Sequence, residues 1–203
     1  MFREGLLIVV SGPSGTGKGT LLKLLGETTD NIRYSVSATT RRPREGETDG
    51  ENYFFKTIDV FKSMIANDEL IEWVEYCDNF YGTPRKHIED SVKQGYNIIL
   101  EIEVNGALNI KNKYPNCVSI FILPPSFDEL KKRITGRGTE DIDVIEKRLA
   151  KAKKEMTYAD KYDYIIVNDN LTDAVKDLNS VLNAERLQTE RNKDIINRIC
   201  FSE

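Results

Sequence analysis

Leu6-Leu7-Ile8-Val9-Val10-Ser11-Gly12-Pro13-Ser14-Gly15-Thr16-Gly17-Lys18-Gly19-Thr20 joins an apolar run to a glycine-rich turn, and helical periodicity follows to about Leu25. The spacing predicts a strand over Gly5 to Ser11, then a tight loop, then a helix. Phosphate oxygens crowd negative charge, so a loop that holds them must offer bare backbone N–H groups. Glycines allow this by removing side chains and accepting positive φ. The helix N-terminus adds partial positive charge, and Lys18 supplies a mobile ammonium for the outer phosphates. An ordinary glycine turn would not need a lysine in this register. Gly19 stands where a Ser or Thr is usual for holding Mg²⁺. Either Thr20 takes that role or the metal is held mainly by phosphate and water.

The rest of the chain bounds what such a loop can serve. With 203 residues and 39% hydrophobic content, one sizeable core and a small subdomain are expected. A formal net charge of -4 argues against a general nucleic-acid binder. Cys77, Cys117 and Cys200 are odd in number and lack metal-ligand spacing, which reads as free thiols in a reducing compartment, without zinc. There is neither a cleavable leader nor a bilayer-length apolar run, so a cytoplasmic protein without a membrane partner is expected.

Working outward from the loop, Asn97 to Ile102, Val118 to Leu123 and Tyr164 to Val167 read as three more buried strands, each followed by a helical stretch. That alternation builds an α/β fold, a parallel sheet with helices on both faces. Tyr34 to Pro84 differs: Arg and Gly cluster over Arg41 to Gly50, and Tyr53 to Phe55 and Leu70 to Tyr76 read as short strands flanking one short helix. This stretch reads as an inserted subdomain. Gly136 to Asp141 is a charged, glycine-bearing loop between helices, suited to a lid. Val175, Leu178, Val181 and Leu182 mark a closing amphipathic helix.

Ser37, Thr39, Thr40, Arg41, Arg44 and Tyr53 gather hydroxyls and guanidinium forks into one short region, a chemistry suited to a second phosphate. Taken alone, Arg41, Arg42 and Arg44 beside Pro43 equally fit a solvated turn. Other segments narrow the choice: Ser35-Val-Ser-Ala-Thr-Thr-Arg41-Arg-Pro-Arg44-Glu-Gly-Glu47, Gly50-Glu-Asn-Tyr53-Phe, Leu70-Ile-Glu72-Trp73, Tyr81-Gly82-Thr83, Gly136-Arg137-Gly138-Thr139-Glu140 and Ile166-Val167-Asn168-Asp169. Together with the phosphate loop, and in this order, they resemble guanylate kinase over nearly the whole chain to about Leu187.

The resemblance implies a three-layer α/β/α domain of the P-loop type that spans 1–203. Its core lies at about 1–33, 85–132 and 150–187, its GMP-binding subdomain at 34–84, its lid at 133–149 and its tail at 188–203. It implies transfer of the γ-phosphoryl group of MgATP to GMP, and to dGMP, by a monomer or homodimer. ATP is then held by Gly12, Pro13, Ser14, Gly15, Thr16, Gly17, Lys18, Gly19 and Thr20, with Asn168 at the adenine. Ser37, Glu72 and Thr83 meet the guanine; Arg41, Arg44, Tyr53 and Tyr81 hold the GMP phosphate; Lys18, Arg133, Arg137 and Arg148 serve the transferring phosphoryl group.

The guanine assignment makes chemical sense. Guanine offers N–H donors at N1 and N2 that one carboxylate, Glu72, can accept together, while Ser37 and Thr83 donate to O6. Adenine would turn a lone pair to that carboxylate. Without the family pattern, Glu72 beside Trp73 also fits an exposed strand residue, Tyr53 and Tyr81 fit packing aromatics, and the three arginines fit solvated helices.

Glu101 and Glu103, two apart at the end of a strand, share one side near the carboxyl edge, where ligands of such sheets sit; Glu103 is placed near the acceptor and Glu101 near the metal. A strand terminus turning polar at solvent would look the same. Glu103 and Asn105 stand where the family usually has an aspartate and a glutamine. His87 reads as a surface residue, since no nucleophile is needed when the acceptor is already a phosphate anion. Two rivals share the loop: a kinase for another small acceptor, and a guanylate-kinase-like binding module without catalysis, a class that typically lacks an intact phosphate loop.

Overall fold

Alternating apolar residues build the core. In the computed structural model, which describes residues 4–76, 78–136 and 142–201, β1 (Leu7–Ser11) runs through the centre of a five-stranded sheet. Its neighbours are β7 (Asn97–Glu101) and β8 (Val118–Leu123), followed outward by β2 (Ile32–Tyr34) and β9 (Tyr164–Val167). Every pairing is parallel. The pleat turns successive side chains to opposite faces. Ile8 and Val10 therefore join Ile99, Ile120, Ile122 and Ile166 on one face, beneath Leu21, Leu22 and Leu25 of α1 (Lys18–Thr28) and Val175, Leu178 and Leu182 of α7 (Leu171–Leu187). Val9, Ile98, Leu100 and Phe121 occupy the other, under Ile88 of α3 (Arg85–Lys93) and Val104, Ala107 and Ile110 of α4 (Val104–Lys113).

The four expected core strands are present; β2 is an addition. At three residues it is too short for a periodic signal, and it enters the sheet beside β7 just after Asn31, whose φ is 62°. The first helix also runs beyond Leu25, to Thr28. Because the central β1 is flanked on both sides by strands from later in the chain, the strand order reverses there, and the carboxyl ends of β1, β7 and β8 frame a crevice.

A second sheet, in the order β4-β3-β6-β5, comprises β3 (Ala38–Thr39), β4 (Phe54–Phe55), β5 (Leu70–Tyr76) and β6 (Asn79–Pro84). It has its own small core, Ala38, Phe61 and Leu70, with Phe61 of α2 (Ile58–Ala66) stacked on Phe80 at 5.5 Å. The β5–β6 register slips between Leu70 and Trp73. An extra residue on one strand bends it and re-aims side chains. Ile71 and Glu72 lie at this irregularity; Ile71 is buried against the main core and Glu72 faces Thr83.

Two further helices, α5 (Phe127–Thr135) and α6 (Ile142–Met156), pack on each other through Leu130, Ile134 and Ala152. The expected lid loop beyond Gly136, with Arg137, lies outside the described residues, as does Cys77. A 3-10 turn and α8 (Lys193–Phe201) end the chain. Cys117 is buried, which pushes its thiol up to about 11, and Cys200 is exposed; both are free. Among the described residues no helix is long and apolar enough to cross a membrane.

Candidate active site

Helix α1 begins without a side-chain cap. The helices α2, α5 and α7 start with Thr57, Ser126 and Asn170, whose side-chain oxygens accept first-turn N–H groups. Gly17, left-handed with φ of 82°, precedes α1 and offers no such oxygen, so the first-turn donors of α1 face the crevice. The loop is held by close backbone approach. A Cβ on Gly12, whose φ is 152°, would stand 2.3 Å from the Ile122 carbonyl oxygen. One on Gly17 would stand 2.7 Å from Asn168 Nδ2. Thr16 is buried, its hydroxyl donating to the Pro13 carbonyl at 3.0 Å.

Lys18 Nζ donates to the carbonyls of Gly12 at 2.6 Å and Pro13 at 3.0 Å. Burial pulls this ammonium below the ordinary lysine range, while Glu101, Glu155 and Glu103 act the other way. Glu101 and Glu103 are exposed at the end of β7, and Glu103 pairs with Lys151 of α6 at 3.1 Å. Ser14 and Thr20 are exposed, Pro13 is buried beneath the loop and Gly15 is partly buried. A Cβ on Gly19 would meet nothing within 4 Å.

The arginines expected around the phosphoryl group divide. Arg148 NH2 donates to Ser14 Oγ at 2.7 Å, tying α6 to the loop. Arg133 Nε pairs with Glu129 at 3.1 Å and its NH1 donates to the Asn168 carbonyl at 3.0 Å. Arg137 is outside the described residues. Asn168, expected at the adenine, is buried and gives its Nδ2 to the Thr16 carbonyl at 2.8 Å. In this state it braces the phosphate loop.

The second sheet and its connections carry the residues expected at the acceptor. Thr83, buried on β6, donates to Glu72 Oε1 at 2.7 Å, and Glu72 Oε2 lies 3.4 Å from where a Cβ on Gly106 would stand. Burial pushes the Glu72 carboxyl above the ordinary range, with the Thr83 bond and the Lys113 charge opposing. Thr83 has one proton, already given to Glu72, so the donor remaining for a guanine O6 is Ser37, partly buried just before β3.

Tyr53 and Tyr81 meet edge to face at 6.2 Å, and the Arg41 guanidinium lies 5.3 Å from the Tyr53 ring centre. Glu47 organises this corner. Its Oε1 takes Arg41 NH2 at 2.8 Å and its Oε2 takes the Arg44 N–H at 2.7 Å. Those two hydrogen bonds lower the Glu47 carboxyl, and the first raises Arg41. The Arg44 side chain is exposed. His87 packs edge-on against Phe54 at 6.3 Å, outside these sets.

Comparison with known proteins places the chain in a family. The family model described as guanylate kinase matches residues 4–185. The chain belongs to the guanylate kinase family. It is 51% identical over 188 residues to the guanylate kinase of Desulfitobacterium hafniense (strain Y51), which spans 93% of this chain and 94% of that one. It is 48% identical over 192 residues to that of Bacillus subtilis (strain 168), at 94% of each chain. A crystal structure of guanylate kinase from Anaplasma phagocytophilum superposes with a TM-score of 0.75 at 34% identity, covering 99% of this chain and 97% of that one.

Within the guanylate kinase frame, three residues at the crevice escaped the sequence reading: Glu47, Lys151 and Glu155. Glu47 lies inside the arginine run but has the charge opposite to the one sought. Lys151 and Glu155 follow Arg148 at three and seven residues, which puts all three on one face of α6. That helical spacing was the available signal.

Proposed function

We propose that this chain transfers the γ-phosphoryl group of MgATP to GMP, and to dGMP, giving ADP and GDP, as a cytoplasmic enzyme of purine nucleotide metabolism. Family membership supports the reaction. The observation that carries the acceptor assignment is the partly buried Glu72 carboxylate, held by Thr83 with lone pairs to spare. It accepts guanine N1–H and N2–H, while Ser37 donates to O6 and Arg41, Arg44, Tyr53 and Tyr81 take the phosphate. Glu103 lies on the acceptor side of the crevice.

On the donor side, Gly12 to Thr20 wrap the triphosphate. Lys18 leaves the Gly12 and Pro13 carbonyls for phosphate oxygens, which are stronger acceptors. Arg133, Arg137 and Arg148 then neutralise the equatorial oxygens of the group in flight. Phosphoryl transfer asks for in-line positioning and charge neutralisation more than covalent work. Mg²⁺ fits the donors present: Thr20 and Glu101 are exposed at the crevice, and the described residues hold no three-ligand cluster. Thr20 and Glu101 would stand beside a Mg²⁺ carried mostly by phosphates and water, and the ion would supply charge neutralisation on the triphosphate. Among the described residues, the absence of a bilayer-length helix and the free Cys117 and Cys200 support the cytoplasmic placement, and a monomer or homodimer suffices for a site built within one chain.

A coupled assay of ADP formation with GMP, dGMP, AMP and UMP tests this. The expected result is fast turnover with GMP and dGMP, and discrimination against AMP on the order of 10⁴ in kcat/KM. Equal rates with AMP would overturn the guanine assignment.

A further inference from the structure

Glu72 has a task at odds with its surroundings. To accept two guanine N–H groups it must be a carboxylate, yet its burial favours the neutral acid. Thr83 on β6 offsets this with one hydrogen bond, and on the α4 side Gly106 brings only backbone near Oε2. Behind Glu72, between β5 and α4, lies a cavity of about 450 Å³ lined by Ile71, Glu72, Trp73, Asn109, Asn112 and Lys113. The two asparagines are neutral. The charge acting on Glu72 is the ammonium of Lys113, the last residue of α4.

That ammonium is anchored. Lys113 Nζ donates to the Ile71 carbonyl at 3.2 Å, next to Glu72 at the β5 irregularity. The bond crosses from a core helix to the acceptor sheet and fixes the position of a flexible lysine head. We propose that Lys113 is a positioning residue for the acceptor base: from the end of α4 it keeps a positive charge fastened behind the Glu72 carboxylate that receives the guanine N–H groups. This rests on Glu72 being the guanine acceptor.

The sign of the pH effect follows. GMP binding needs ionised Glu72, so it is present above the folded pKa of that carboxyl and fades as pH falls through it. Lys113 lowers that pKa; removing its charge moves the fade to higher pH. The profile of kcat/KM for GMP at saturating MgATP reads this directly, since it reports groups of the enzyme before GMP binds. Lys113→Gln can still donate to the Ile71 carbonyl but carries no charge, whereas Lys113→Arg keeps both.

In Lys113→Gln the acid limb is expected to move up by about half a pH unit. That raises KM for GMP about threefold on the limb, a modest effect because the lysine is partly screened by solvent. The loss should fall on KM for GMP rather than on kcat or KM for ATP, and Lys113→Arg should restore the parental limb. A Lys113→Gln profile that superimposes on the parent overturns the proposal, as does an equal displacement in Lys113→Arg. Glu72→Gln separates the two levels: if it keeps the parental KM for GMP, the guanine reading of Glu72 fails. If it raises that KM severely while Lys113→Gln leaves the limb in place, only the role of Lys113 fails.

Discussion

Under the proposed assignment, the donor and acceptor halves of the site solve the same problem, holding a phosphate, by opposite means. The donor half is backbone: nine consecutive residues, three of them glycines at positive φ, with a helix start left uncapped. The acceptor half is side chains: Glu72 on β5, Tyr81 and Thr83 on β6, and Ser37, Arg41, Arg44 and Tyr53 in the connections beside β3 and β4. Backbone amides bind any phosphate and give little discrimination, whereas a carboxylate aimed at ring N–H groups reads the base. A kinase that must accept one monophosphate therefore places its selectivity in the half built from side chains.

This contrast is broken most severely at Lys18, whose ammonium is the charged group that the phosphate loop itself supplies. Lys18→Ala is expected to lower kcat by on the order of 10³, because preorganised charge on the transferring group is lost. Thermal stability should hold, since the ammonium bonds only to carbonyls of its own loop. Turnover rates with GMP check it, and full turnover in that variant would overturn the role given to Lys18. Gly12→Ala attacks the same half through its backbone. With a Cβ 2.3 Å from the Ile122 oxygen and a φ of 152°, loop and β8 must separate, so stability falls by about 2–4 kcal/mol in a denaturant melt.

On the acceptor side, Glu72→Gln keeps shape and removes charge. It is expected to raise KM for GMP by about 10²-fold, one face of the amide now presenting N–H to N–H, with KM for ATP little altered. Glu47→Gln is gentler. One amide oxygen cannot serve both Arg41 and the Arg44 N–H as the carboxylate does, so KM for GMP should rise about threefold to tenfold as the arginine corner loosens. A fall in KM would mean instead that Glu47 competes with the GMP phosphate for Arg41.

The two halves also differed in how far they could be read from sequence. Gly12 to Thr20 is contiguous, and each residue type has its reason within the loop, so the donor site and the strand and helix that carry it were legible locally. The core strands at Asn97, Val118 and Tyr164 were legible because unbroken apolar runs have few other uses. The acceptor site was legible only as a pattern across many segments. Its decisive geometry, the slip in register that turns Glu72 toward Thr83 while Ile71 enters the core, depends on how β5 pairs with β6. Lys113 acts through a partner distant in sequence, which no window along the chain displays, while Glu47 sits beside its partners but has the charge opposite to the one sought. Three-residue β2 exists because β7 offers it an edge.

The smallest effect sharpens the contrast within the donor half itself. Gly19, the second residue of α1, has an ordinary helical backbone and empty space around the position of a Cβ. Alanine in a helix is favoured over glycine by about 1 kcal/mol, which for a chain of this size raises the melting midpoint by roughly 2–4 °C. Gly19→Ala is therefore expected to stabilise the protein where Gly12→Ala destabilises it. Differential scanning calorimetry of the two variants decides whether the loop needs glycine for its backbone or only for the room a ligand takes. If Gly19→Ala melts higher yet binds ATP more weakly, the space above Gly19 belongs to the triphosphate. If affinity is kept, glycine there is dispensable, and the donor site's need for it is confined to Gly12, Gly15 and Gly17, where φ is positive.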